Sequence, residues 1–528
     1  MAEARGYLAF LLHAHLPFVR HPEHERFLEE DWFYEAITEC YIPLIHVFEG
    51  LERDGVAFRL TMTLSPTVLS MMEDPLLADR CAAYIKRLID LSEKEMARTE
   101  DEPEFSRLAE MYNRRLSRAL ETFTERYNGR LAAAFRGLQD RGHLEIITCA
   151  ATHGLLPLLR ESPAAVRAQL TVARDHYETV FGRAPVGIWL PECAYYHGLD
   201  RLLQDLNLRY FILDTHGLLL AEPSPAFGVH APIYTEHGIA AFARDPDTSK
   251  QVWSATEGYP GDPNYRDFYR DVGFDLSFEY IQPYIHPDGI RVHTGLKYYA
   301  ITGKTDQKRP YDPVVARERA AAHATHFQRC RERQVRYLSA HMDRPPVILS
   351  PYDAELFGHW WYEGPQWLNF TLRKISCDVP WIKLISPSDY LAQYSTNQIC
   401  EPNPSTWGHQ GYYDYWLNGK NSWIYPHLHG MARRMTEVAR TIDPLETGLV
   451  RAANQMAREL LLAESSDWPF IMTAGTSVDY AAKRIRSHIA RFNALYQAVK
   501  TGEIDLEYLR QVELRDNLFP QIDYRVYR

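Results

Sequence analysis

Apolar residues fall along this chain in two alternating rhythms. Short continuous runs, bounded by polar or turn residues, occur at 7–12, 57–64, 144–149, 186–190, 210–213, 239–243, 347–350 and 383–385. Between them, apolar positions recur every three or four residues over longer stretches. The first pattern predicts strands buried on both faces, and the second predicts amphipathic helices. Their alternation predicts a parallel α/β fold. Polar residues follow most of these strands: His13 and His15, then His153, Glu192, Asp214 with His216, Arg244 with Asp245, and Asp353. Chemistry at so many strand ends predicts a βα barrel, whose C-terminal rim carries function. A doubly wound sheet would concentrate it at one crevice.

The helical rhythm over 78–141 is too long for a simple crossover, and acid–base pairs at helical spacing run through it, notably at 114–138. It predicts a helical subdomain inserted into a barrel made of residues 1–77 and 142–396. The stretches 218–232 and 258–273 read as loops. From 397 onward a polar, aromatic loop gives way to helical patterns at 427–440, 444–464 and 478–499, which predict a helical domain over 397–528.

Charge narrows the partners. The formal net charge over 528 residues is −11, which opposes nucleic acid and anionic membranes and leaves a neutral ligand compatible. The seven cysteines are scattered without a CxxC pair, so free thiols in a reducing compartment are expected. The run at 7–12 is too short to span a membrane and precedes no cleavage site. A cytoplasmic protein is the expectation; the oligomeric state is not legible.

Two acids stand just past strands, Glu192 and Asp353. They are the candidates for nucleophile and general acid/base of a retaining glycosidase, which needs two carboxyls about 5–5.5 Å apart. Asp353 has a plainer reading as a helix cap, and Glu355 is a second acid beside it. His13 and His15 share one face of an extended strand. With His153, His216 and an aspartate they could bind sugar hydroxyls, support the core, or assemble a metal-dependent hydrolase or deacetylase. Trp253, Trp360, Trp361, Trp407, Trp416 and Trp468 lie in polar or loop contexts; each either stacks on a sugar ring or packs in the core. Asp467 is an acid in an apolar helical region and requires partners. A non-catalytic glucan-binding protein is the remaining class. It would have no use for two acids placed at strand ends. No phosphate-binding glycine loop or serine nucleophile elbow occurs.

Five stretches together resemble glycoside hydrolase family 57, and within it the 1,4-α-glucan branching enzymes. They begin at His13, Ile147, Gly187, Ser350 and Ala463 and end at Pro17, Gly154, Cys193, Trp361 and Phe470. The resemblance spans essentially the whole chain. It implies an incomplete (β/α)7 barrel with an inserted helical subdomain and a C-terminal helical domain. It implies Glu192 as nucleophile and Asp353 as acid/base. His13, His15, His153, Asp214, Arg244, Trp253, Trp360, Trp407, Trp416, Asp467 and Trp468 would line an α-glucan site, with no metal or other cofactor and a role in glycogen metabolism. One departure stands out. Branching enzymes of this kind carry a longer loop ahead of the position of Gly238, with a shielding tyrosine near its tip. Here 227–238 is short, Tyr234 is the candidate for that role, and the shorter form resembles α-amylase-type members. Branching and hydrolysis share their first step, so the loop bears on which follows.

Overall fold

The computed structural model describes residues 4–254 and 257–528. Its strands, among the described residues, are β1 (Gly6–Ala14), β2 (Leu60–Leu64), β3 (Leu144–Ile147), β4 (Gly187–Ile188), β5 (Tyr210–Leu213), β6 (Ile233–Tyr234), β7 (Ala240–Ala243), β8 (Val347–Asp353) and β9 (Ile382–Leu384). β3, β2, β1 and β8 pair in that order, and β4, β5 and β7 form a second parallel group. The groups meet on both sides. Thr148, just past β3, bridges in parallel to Ile188 of β4, and Asp245 N–H, just past β7, donates to Leu349 O of β8 at 2.9 Å. Seven parallel strands thus surround one interior. β9 pairs with the lower half of β1, and β6 runs antiparallel to β7.

All nine residues of β1 are buried, which explains why it reads as an unbroken apolar run. Its alternation sorts them. Tyr7, Ala9 and Leu11 point inward to meet Ile147, Trp189, Ile212, Phe242 and Leu349, while Leu8, Phe10 and Leu12 join the cluster shared with the helices. The same alternation turns His13 inward at the upper end of the strand. The register places His13 beside Asp353 of β8, so these two residues reach the barrel mouth at one level.

Between β2 and β3 the chain forms helices Pro75–Arg98, Pro103–Glu121 and Ala132–Asp140. The single helical pattern at 114–138 is broken in the structure, because Asn128 and Gly129 adopt positive φ of 49° and 74°, a turn that Asn-Gly favours. The irregular segment read at 258–273 extends to Asp312, where the helix Pro313–Ser339 is capped. This segment lies on the inserted helices: Tyr112 donates to Lys297 O at 2.7 Å and Lys94 to Tyr280 O at 2.9 Å.

After β9 the chain is helical: Ile424–Thr441, Thr447–Ala463, Asp467–Ala474 and Val478–Thr501. The turn between the second and third of these is stitched to the loop after β3. Gly154 bridges to Ser465, Ser466 N–H donates to His153 O at 3.1 Å, Thr152 Oγ1 donates to Leu461 O, and Gln169 donates to Glu464 at 2.9 Å. Asp467 is thereby fixed against the barrel mouth. No helix among the described residues is long and apolar enough to cross a membrane.

Candidate active site

Glu192 stands on the short turn Pro191–Cys193 that follows β4, with φ 59° and ψ 25°. Cys193 also has positive φ, 53°, as does His153, 58°. Such backbone costs on the order of 1–3 kcal/mol per residue and persists only where the surroundings enforce it. Here Cys193 N–H donates to Leu190 O and Trp407 N–H donates to Glu192 O, at 2.8 and 2.9 Å. The strain aims the Glu192 carboxylate into the mouth, where the indole Nε1–H of Trp407 donates to Oε2 at 2.6 Å. Trp407 sits edge-on against Trp189 at 4.8 Å, and the Arg244 guanidinium lies 5.7 Å from its ring centroid. Arg244 Nε donates to Asp214 Oδ1 at 2.7 Å. Asp214 also faces His216 at 3.5 Å; these partners outweigh burial and hold its carboxyl below the usual range.

The opposite wall holds three histidines. His13 stacks on Trp189 at 4.7 Å, and its Nε2 meets that of His153 at 3.2 Å. His153 Nδ1 pairs with Ser466 Oγ at 2.8 Å. His15 lies between Ser65 and Asp467, at 3.0 and 3.1 Å. Burial, and then the neighbouring rings, push His13 and His153 well below the usual imidazole range, so both are neutral hydrogen-bonding groups at pH 7. Burial pushes Asp467 up, but His15 and Ser465 outweigh it and keep Asp467 ionised.

His15, His153 and Asp467 have ligand atoms within 4.8 Å of one another, as a metal site requires. Their geometry does not suit one. The rings of His15 and His153 are stacked at 3.8 Å and 11° from parallel. An imidazole nitrogen binds a metal in the plane of its own ring, and two parallel planes that far apart cannot share one ion.

Burial raises both carboxyls, Glu192 to about 8 and Asp353 to about 7. Asp353's negative charge contributes to the Glu192 value, so the two numbers belong to the pair. An indole N–H can only donate, so the Trp407 contact favours ionised Glu192, but burial and the charges of Asp353 and Asp467 outweigh it and leave Glu192 the higher of the two. A widened turn, Ala36–Tyr41, braces the segment behind Asp353. Tyr41 donates to Glu355 at 2.5 Å, Cys40 to Ala354 O at 2.8 Å, and Glu39 pairs with His359 at 2.7 Å.

Residues 9–402 match the model of glycosyl hydrolase family 57, and residues 427–527 match that of the 1,4-alpha-glucan branching enzyme C-terminal domain. The chain belongs to glycosyl hydrolase family 57. Three relatives bracket this family 57 chain. The α-amylase AmyC of Thermotoga maritima is 44% identical over 99% of both chains, with a TM-score of 0.92. The GH57-type branching enzyme of Pyrococcus horikoshii is 32% identical over 99% of this chain and 97% of its own, with a TM-score of 0.88. The 1,4-alpha-glucan branching enzyme TK1436 of Thermococcus kodakarensis is 33% identical over 98% of this chain and 77% of its own.

The family 57 chain brings together His13, His15, His153, Glu192, Asp214, Arg244, Asp353, Trp407 and Asp467. Six other aromatic candidates pack differently. Tyr234 pairs with Ala240, the first residue of β7, at the strand end opposite Arg244, so it cannot shield an intermediate. Trp416 is buried at 1% exposure beneath Gly408, and Trp468 is fully buried with its Nε1–H on Leu462 O at 2.8 Å; both are packing residues with no face for a sugar. Trp253 ends the helix Pro246–Trp253, which starts just past β7, and is 39% exposed. Trp360 stacks on Phe268 at 4.3 Å. Trp361 is core. Trp189 was missed, although it lies in the quoted run before Glu192; alternation along β4 and its extension carries the signal that turns it inward.

Proposed function

We propose that this chain is a 1,4-α-glucan branching enzyme acting by retaining double displacement. The observation that supports this most is the placement of two buried carboxyls with raised values, Glu192 and Asp353, at the barrel mouth, with the Trp407 indole donating to Glu192. In the first step Glu192 attacks the anomeric carbon of an α-1,4-linked glucose while Asp353 gives its proton to the departing 4-oxygen. A covalent glycosyl-enzyme and a shortened chain result. In the second, Asp353 takes the proton of a 6-hydroxyl on another glucan, whose oxygen displaces Glu192 and forms an α-1,6 bond. Neutral His13 and His153, with Asp214 and Arg244, suit uncharged hydroxyl groups. The free cysteines fit a cytoplasmic setting.

Hydrolysis is the second reading. It is favoured by the 44% likeness to an α-amylase and by Tyr234 lying at the far strand end, which leaves no tyrosine-tipped loop from that segment over the site. The turn after Trp407 is held by Thr406, whose N–H donates to Gly411 O at 2.8 Å and whose Oγ1 donates to Tyr412 O at 2.6 Å. Incubation with linear amylose separates the readings. New α-1,6-linked chains in clear excess of new reducing ends are expected; reducing ends without branches would make the protein a hydrolase.

A further inference from the structure

A second cluster of aromatic rings lies on the turn that follows Asp353. Trp360 is 55% exposed and stacks on Phe268 at 4.3 Å and 28°. Tyr269, 77% exposed, stands edge-on to Phe268 at 5.3 Å. Phe274, 46% exposed, packs on His293 at 4.9 Å, and His293 in turn contacts Phe268. Exposed aromatics gathered in one place mark a binding surface more often than isolated ones do.

The chemistry beneath these rings selects the ligand. Lys297 lies under Phe268, 5.0 Å from its centroid, yet is neutralised by Asp271 at 3.0 Å. Arg270 pairs with Asp275 at 2.9 Å and His359 with Glu39 at 2.7 Å. Arg291, whose Nη1 donates to Gly273 O at 2.6 Å, adds one cation nearby, so the surface holds little excess positive charge for a polyanion. It offers flat rings rimmed by polar groups, which suits an uncharged polymer with alternating apolar faces and hydroxyl edges. The patch is also continuous with the site: Trp360 N–H donates to Glu355 O at 3.4 Å, and the Glu355 side chain accepts from Tyr41 and from His15 N–H.

We propose that Trp360, Phe268, Tyr269 and Phe274 form an accessory platform that holds a distal stretch of an α-glucan chain by ring stacking, outside the subsites next to Glu192 and Asp353. The platform rests on the glucan-acting reading above. Each stacked ring contributes on the scale of other aromatic contacts, about 0.5–1.5 kcal/mol, so two removed together weaken polymer binding by roughly tenfold. The test is affinity electrophoresis of wild type and the Tyr269→Ala/Phe274→Ala double variant in gels containing glycogen. It is paired with kcat/KM for long amylose and for a maltooligosaccharide too short to reach from site to platform. The expected result is a five- to tenfold loss of glycogen retention and a matching fall in the ratio of kcat/KM for amylose to that for the short substrate. Unchanged retention and an unchanged ratio would overturn the platform. A wild type with no activity on either substrate would instead overturn the glucan-acting reading itself. Circular dichroism of the variant excludes misfolding; Tyr269→Phe, which keeps the ring, is expected to restore retention.

Discussion

Replacing Trp407 with phenylalanine keeps an aromatic ring against Trp189 and removes one group, the N–H that donates to Glu192 at 2.6 Å. A hydrogen bond to a charged group contributes about 1.5–3 kcal/mol. At 1.36 kcal/mol per pH unit, its loss raises the affinity of Glu192 for a proton by roughly one to two units. Burial already holds Glu192 near 8, so the ionised nucleophile becomes scarcer still. kcat/KM at the optimum should fall about 10- to 100-fold, and the acidic limb of the pH profile should move upward. An α-maltosyl fluoride substrate makes the cause visible, because fluoride leaves without a proton. Its turnover should stay depressed in Trp407→Phe, where the nucleophile is impaired. In Asp353→Asn formation of the glycosyl-enzyme should be largely restored. An acidic limb that does not move, with a rate within threefold of wild type, would refute the indole hydrogen bond as the group that favours ionised Glu192.

Other outcomes follow from the same geometry. Glu192→Gln should abolish turnover and leave the fold intact. The folded-state value of Glu192 is raised from 4.5 to about 8, so its stabilising contribution is complete at low pH and is lost as pH rises through about 8. Glu192→Gln should therefore melt higher than wild type at pH 9, by on the order of 2–4 kcal/mol, and gain little at pH 5; equal shifts at both would contradict the burial. Asp467→Ala frees His15 from its partner and should lower kcat/KM about 10- to 100-fold, with Asp467→Asn recovering part of it. Prolonged EDTA treatment should leave activity unchanged, and elemental analysis should find no stoichiometric transition metal. Loss of activity restored by zinc would show that the stacked histidines rearrange around an ion.

The barrel strands were legible because they are buried on both faces, and continuous apolar runs record that directly. β6 was not, since its two residues, Ile233 and Tyr234, carry too little pattern. Glu192 and Asp353 were legible from their positions after strands. What the chain could not disclose is which tryptophans face a ligand. Trp407 and Trp416 lie in similar polar surroundings in the sequence. Only packing separates the indole donating to Glu192 from the one buried under Gly408, where any added Cβ would lie 2.5 Å from the Trp416 ring. Local pattern reports burial averaged over a segment, and orientation within a loop depends on contacts far away in the chain.

One such contact governs when the site comes into being. His15 and Asp467 are 452 positions apart, and Glu192 gains its indole partner only with Trp407. A ribosome adds roughly 5–20 residues per second, so the barrel rim is translated long before its last charged group emerges. A nascent chain bearing both Glu192 and Asp353 therefore has neither the indole donor to Glu192 nor the anchor for His15. On the proposed mechanism, chain cleavage awaits the docking of the helical segment.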